Sequence, residues 1–284
     1  MKKILLYLST EKHASAFDII VAHDSGVDVV VPYDNVKKCE IADIIYHSLF
    51  PRGPDELKNT AVFIGGHDLM KSEQFLRKTL KTLEGLPLGM KVSVAVDPDG
   101  AYTTATACVK EIKKYLDVSG KQATVLAGTG PVGQSVGALL AREKAHVALT
   151  SRDMKKADET TAHFKARYGV DIESKQVNSA AETRKAVCNA DIVVSAGPAG
   201  VLMLPEEVWS QTDKIKVIVD LNSVPPYGVG GVEQINAVTE KYGKTIIGSI
   251  HIGNHKMRIH QQIIKQIFAD TDQVFDLYKT YELA

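Results

Sequence analysis

Ala123-Thr124-Val125-Leu126-Ala127-Gly128-Thr129-Gly130-Pro131-Val132-Gly133 is the stretch that decides the fold. Five strand-forming residues run into a G-x-G-x-x-G pattern. Val136, Leu139 and Leu140 then follow at helical spacing. A strand that enters such a turn and leaves it as a helix opens a dinucleotide-binding βαβ unit. Each glycine has its own task. Gly128 allows the tight turn, Gly130 lets backbone approach a pyrophosphate, and Gly133 permits close helix–strand contact. Thr129, Pro131 and Val132 complete the turn, and the helix start offers N–H groups and a positive dipole end to phosphate. A glycine-rich βα turn without a ligand is the other reading of the same residues.

The next strand, His146–Thr150, ends in Ser151-Arg152. A carboxylate at this place bonds the ribose 2′-OH in NAD sites. Here the acid, Asp153, comes later. Arg152 suits a 2′-phosphate, Ser151 offers a hydrogen bond, and Lys155 and Lys156 add positive charge. NADP is the cofactor this pattern predicts, with NAD the weaker alternative; a solvated helix start accounts for the same charges. Two later strand ends fit the same domain. Ser195-Ala196-Gly197 follows one, and Asn222 lies just after Asp220 at the next. Small residues there allow a nicotinamide half to lie close to backbone.

Outward from this stretch, short apolar runs alternate with helical patterns along the whole chain, which signals α/β. Strands are predicted at Ile4–Leu8, Val27–Val31 (ending at Pro32), Thr60–Ile64, Val92–Val96, Ala123–Ala127, His146–Thr150, Ile192–Ser195, Val217–Asp220 and Thr245–Ile247, with helices between. The segment Asn254–Tyr281 reads as one long helix or two abutting ones, placed to return to the first domain. The predicted architecture is two-domain α/β. Residues 1–117 with 255–284 form an N-terminal substrate domain, and residues 118–254 form a doubly wound parallel Rossmann-type sheet.

Bulk properties bound the function. The 284 residues carry 34 Lys+Arg against 34 Asp+Glu, which supplies no field for nucleic acid or an anionic membrane. Three widely spaced cysteines, Cys39, Cys108 and Cys188, suggest reduced thiols and no disulfide framework. The apolar run after Met1 stops at Ser9 and reads as a strand, too short for a signal peptide. No apolar run approaches a membrane span, so the expected location is the cytoplasm.

Several motifs together resemble the methylotrophic NAD(P)-dependent methylene-tetrahydromethanopterin / methylene-tetrahydrofolate dehydrogenases. They are Phe50-Pro51-Arg52-Gly53, Thr60-Ala61-Val62-Phe63-Ile64-Gly65-Gly66, Asp97-Pro98-Asp99-Gly100 with Thr103-Thr104, the glycine turn above, Pro225-Pro226-Tyr227-Gly228-Val229-Gly230-Gly231, and Ile252-Gly253-Asn254-His255-Lys256. The resemblance covers nearly the whole chain. It implies a pterin-binding first domain facing the NADP domain across a cleft, and homo-oligomers, often trimers. It also implies oxidation of the methylene carbon between two pterin nitrogens to a methenyl product, with NADP reduced. The nitrogen lone pairs stabilise the cation left by hydride loss, so no general base is needed.

On the substrate side, Asp97, Asp99 and Gly100 stand at a strand end. Carboxylates there suit pterin N–H donors and a developing cation; an Asx turn capping the helix at Thr103 is the alternative. Tyr102 suits stacking on a pterin ring. Lys256 either contacts the substrate or is a solvated helix lysine. Lys256 and Asp97 are the residues assigned to orientation and electrostatics at the reacting carbon. His67, His255 and Ala101-Tyr102 depart from the family pattern, which leaves the choice of pterin open. His251, His255 and His260 tempt a metal reading. A glycine turn through them and the lack of an accompanying carboxylate argue against it, and no metal is expected. Two rivals stand: a shikimate-dehydrogenase-like enzyme, which needs a lysine and an aspartate, and a non-catalytic NADP sensor.

Overall fold

The computed structural model describes residues 1–232 and 235–284. The chain divides into two compact units, Met1–Thr103 with Met257–Ala284, and Thr104–Lys256.

In chain order the elements of the first unit are β1 (Ile4–Ser9), α1 (Ala16–Asp24), β2 (Val29–Tyr33), α2 (Ile41–Leu49), β3 (Thr60–Gly65), α3 (Leu69–Glu84), β4 (Ser93–Val96) and the start of α4 (Ala101–Tyr115). The second unit continues with β5 (Gln122–Leu126), α5 (Pro131–Arg142), β6 (His146–Ser151), α6 (Met154–Tyr168), β7 (Glu173–Gln176), α7 (Ala180–Val187), β8 (Ile192–Ser195), α8 (Glu206–Trp209), β9 (Val217–Asp220), β10 (Val238–Lys241), β11 (Lys244–Ile247) and the first part of α9 (Ser249–Gln266), whose remainder from Met257 belongs to the first unit. β12 (Val274–Phe275) and α10 (Leu277–Leu283) complete the first unit.

The first sheet has the order β2-β1-β3-β4-β12 and is parallel throughout. Its central strands are apolar without alternation because helices cover both faces; every residue of β3 is buried. The polar exception is a network around Tyr7, whose hydroxyl donates to Asp18 Oδ2 at 2.7 Å and accepts from the Ser15 amide at 3.3 Å. This ties the start of α1 to β1, and burial together with the Asp18 charge pushes the phenol far above its ordinary range. Gly65 ends β3 because any Cβ there would strike the Tyr7 hydroxyl.

The second sheet has the order β7-β6-β5-β8-β9-β11-β10. Its first six strands follow the 3-2-1-4-5-6 order of dinucleotide-binding sheets. β10 is added antiparallel to β11 through the two-residue turn Tyr242-Gly243, both at positive φ. Trp209, wholly buried, anchors the apolar layer under β8, β9 and β11 and donates its indole N–H to Gly230 O at 3.0 Å.

Three expectations are corrected. β2 does not stop at Pro32 but runs through it, opposite Tyr7; β2 is an edge strand, where a missing N–H is tolerated. The end of the chain is not continuous helix. Ser93 Oγ donates to Asp270 O and accepts from the Gln273 amide, Val94 N donates to Gln273 O, and the captured segment adds β12 beside β4. No turn interrupts residues 251–255 either: Gly253 lies inside α9.

Tyr7→Phe is expected to lower unfolding free energy by about 1–3 kcal/mol, because buried Asp18 loses the Tyr7 hydroxyl as a donor. Urea denaturation measures it, and an unchanged midpoint would remove the network from the account.

Candidate functional site

The N-terminus of α5 is built almost wholly from backbone. Ala127 N donates to Thr150 Oγ1 at 3.0 Å and Gly128 N to Thr150 O at 2.9 Å, fixing the turn against β6. A Cβ on Gly133 would lie 2.7 Å from Gly128 Cα, and one on Gly128 would lie 2.8 Å from Leu149. These two glycines are required by packing. Gly130, the N-cap, is different. It brings no capping oxygen, and a Cβ there would meet nothing within 4 Å. The helix start thus faces open space of the kind a pyrophosphate fills.

At the end of β6, Asp153 caps α6 by accepting from Lys156 N at 3.2 Å. That carboxylate serves the helix. Ser151 is buried, and its hydroxyl accepts from Asp153 N at 3.1 Å. Arg152 and Lys156 are exposed, and the Arg152 carbonyl is held by Gln176 Nε2 at 3.0 Å. The residues fit a dinucleotide with an additional phosphate on its adenosine ribose.

The loops after β8 and β9 are stitched together. Asn222 Oδ1 accepts from Val224 N at 2.9 Å and Gly200 N at 3.4 Å, and its Nδ2 donates to Pro226 O at 3.2 Å. Asn222 and Ser195 are both buried. Sequence reasoning offered them as cofactor contacts; their polar atoms instead face their own chain, so they set the loop shape. Ala196 and Gly197 remain partly accessible.

In the first unit, Asp97 is 2 % exposed. Its Oδ1 accepts from Tyr102 N at 2.8 Å and Thr103 N at 3.3 Å, and its Oδ2 from Thr103 Oγ1 at 2.6 Å. The capping alternative describes it: its oxygens are engaged with the start of α4. Thr103 and Gly100 are buried with it. Tyr102, expected to stack on a ring, is 1 % exposed and donates to buried Glu73 at 3.2 Å. Only Asp99 of this group is presented outward.

The strand order reveals what sequence reasoning missed. The first sheet reverses its winding between β1 and β3, and ligands bind at such switch points. The rim there carries Thr10, Glu11, Gly66, His67 and Lys71, which no single stretch of sequence brings together. Gly66 has φ 134°, and a Cβ on it would collide with Thr10 Oγ1. Glu11 Oε1 accepts from Thr10 Oγ1 at 2.8 Å and His67 N at 3.1 Å; the His67 amide first, then the Thr10 hydroxyl, hold this carboxyl below its ordinary range. Lys71 Nζ donates to Thr10 O at 3.2 Å. His67 Nδ1 lies 3.2 Å from Asp99 Oδ2, with side chains 70 % and 57 % exposed.

On α9, Lys256 is 9 % exposed, so it is not a solvated helix lysine. His251 and His255, one turn apart, face buried Glu111 of α4 at 3.3 and 2.8 Å. A carboxylate does accompany them. His260 lies in the first unit, stacked on Phe63 at 5.5 Å.

A Rossmann-ordered sheet with an open glycine-built helix start, joined to a second parallel sheet, defines a two-unit α/β protein of the nucleotide-binding dehydrogenase class. Solved structures agree on the fold. The 5-ketofructose reductase of Gluconobacter sp. strain CHM43 aligns at TM-score 0.53 and 16% identity, over 100% of this chain and 98% of that one. Shikimate 5-dehydrogenase from Listeria monocytogenes aligns at 0.52 and 12%, over 99% and 96%. Residues 16–99 match the family model described as methylene-tetrahydromethanopterin dehydrogenase, N-terminal. Two proteins of Methylorubrum extorquens align with the whole chain and 98% of their own length. The bifunctional protein MdtA is 34% identical, and the NAD(P)-dependent methylenetetrahydromethanopterin dehydrogenase is 30% identical. The chain belongs to the methylene-tetrahydromethanopterin dehydrogenase family.

Burial opposes ionisation of Glu111, but the bonds from Lys114 and His251 and the charges of Lys114 and His255 outweigh it and hold the carboxyl low. A lowered folded value stabilises the fold above the unfolded one, near 4.5, and that contribution is lost as pH falls through the folded value. Urea melts from about pH 5 to about pH 3 are expected to show wild type losing more stability than Glu111→Gln. Equal losses would mean that the histidine–carboxylate cluster contributes nothing.

Proposed function

We propose that this chain transfers a hydride from the methylene carbon of methylene-tetrahydromethanopterin, or of methylene-tetrahydrofolate, to NADP, giving the methenyl form. The observation that carries the reading is the open N-terminus of α5 beside a basic strand end at which Asp153 is engaged as a helix cap. Full-length likeness to a relative named as an NAD(P)-dependent methylenetetrahydromethanopterin dehydrogenase supports the substrate class.

NADP, when bound, accepts the hydride; the residues of the chain hold and orient. Gly128, Thr129, Gly130, Pro131, Val132 and Gly133 receive the pyrophosphate on backbone N–H groups and the helix dipole. Arg152 and Lys156 take the 2′-phosphate, and Ser151 shapes the turn that presents them. Ala196 and Gly197 admit the nicotinamide half. The first unit takes the pterin, with Asp99, His67 and Glu11 at its switch point and Asp97, Gly100, Tyr102 and Thr103 holding that rim in shape. Lys256 is the further substrate-side residue. Loss of hydride from a carbon between two nitrogens moves no proton, so the arrangement needs no general base. In a shikimate-type reaction a lysine and an aspartate share proton transfer; here Lys71 is bonded to Thr10 O and Asp97 is engaged with α4.

Homo-oligomeric assembly, as a trimer, and a cytoplasmic location belong to the same reading. No helix among the described residues is long and apolar enough to cross a membrane.

The test is a spectrophotometric assay with both methylene pterins and both nicotinamide cofactors. Turnover is expected with NADP, and shikimate turnover or binding without turnover would refute the reading. Arg152→Ala is expected to raise KM for NADP at least about tenfold, roughly 1.4 kcal/mol, while moving KM for NAD little. Lys256→Ala is expected to lower kcat/KM for the pterin about tenfold or more, with NADP binding retained; an unchanged value removes Lys256.

A further inference from the structure

The carboxylate of Asp220 closes β9 and is 0 % exposed. Its Oδ1 accepts from Asn222 N at 3.0 Å and its Oδ2 from Val229 N at 3.0 Å; the Gly228 backbone and the Ser195 hydroxyl lie close beside it. Among the described residues these partners are all neutral donors. Burial is the largest influence and raises the Asp220 carboxyl above its ordinary range; the surrounding N–H and O–H groups, which fit the ionised form, oppose that rise. When ionised, the carboxylate is met by dipoles and, among the described residues, by no cation.

Its cover is thin. A Cβ on Gly228 would lie 2.6 Å from Asp220 Oδ1 and would also strike Ser195 Oγ, so glycine backbone lies directly on the carboxylate. The loop rests on the far side against the β8 loop, where Gly228 O accepts from Met203 N at 2.8 Å and Leu204 N at 2.9 Å. In the 3-2-1-4-5-6 sheet the first three strands serve the adenosine half of a dinucleotide. The strands on the other side of the switch point, here β8, β9 and β11, serve the nicotinamide half. Asp220 thus stands at the end of a strand on the nicotinamide side, in a low-dielectric setting where charge is weakly screened.

The oxidised nicotinamide ring is cationic and the reduced ring is neutral. A fixed anion beneath the loops that receive it interacts with one and not the other, and such a difference becomes a difference in affinity. We propose that Asp220 is a positioning residue that also makes this chain hold the oxidised dinucleotide more tightly than the reduced one. The proposal rests on the reading that the second unit binds NADP.

The experiment measures dissociation constants of the full chain for NADP+ and NADPH by calorimetry, with wild type and Asp220→Asn, folding being checked by circular dichroism. Wild type is expected to bind NADP+ at least fivefold more tightly than NADPH. In Asp220→Asn that preference is expected to fall at least fivefold, through weaker NADP+ binding, with NADPH binding changed less than twofold. Wild type binding the reduced form more tightly overturns the proposal, whether or not the variant folds. So does a folded variant in which both constants move in parallel, which is what a purely structural role of Asp220 produces. If wild type binds neither form, the NADP reading itself has failed, an outcome distinct from binding without the preference.

Discussion

The approach of Gly133 to Gly128, with 2.7 Å left for any added carbon, brings the first turn of α5 down onto the end of β5. With a side chain at either position the helix would stand away from the sheet, and its N–H groups would no longer converge on the space above Gly130. Thr150 holds the turn from the neighbouring strand through its hydroxyl and its carbonyl. The remainder of the nucleotide-binding unit is arranged around this contact. β6 delivers Arg152 at one side, and β8 and β9 deliver two interlocked loops at the other.

The first unit solves its problem differently. It has no glycine-opened helix start of that kind. Its rim depends on one crossing, where Gly66 leaves β3 at positive φ and passes Thr10 too closely for any other residue. That crossing brings Glu11 and His67 together, and the cap formed by Asp97 fixes the turn from which Asp99 reaches His67. Buried groups hold shape here and exposed ones are presented, a division that also separates Asn222 from Gly197 in the second unit.

The glycine turn was legible in the sequence because its physics is local: strand, turn and helix lie within eleven residues. The central strands were legible because burial on both faces makes them apolar without interruption. β7 was missed because Glu-Ser-Lys-Gln at residues 173–176 carries no apolar signal; it exists by pairing with β6. β12 was read as helix because the bonds that extend it come from Ser93 and Val94, about 180 residues earlier. Asp97 and Asp99 are alike on paper, and only the start of α4 decides which one is absorbed as a cap. Glu11 and His67 carry no motif, since a switch point is a property of strand order. Glu111 could not be matched to His251 and His255 because nothing in their spacing connects two helices so distant in sequence.

The last strand has a bearing on biosynthesis. β12 lies beside β4, yet it follows the whole of the second unit in the chain. A ribosome therefore makes four strands of the first sheet, then a complete Rossmann unit, and only afterwards the segment that covers the open side of β4. Domains commonly fold in the order in which they emerge; this topology reverses that order. The inserted unit has all its strands available first, while the older half of the protein waits with one edge uncovered until the segment after that unit has been made.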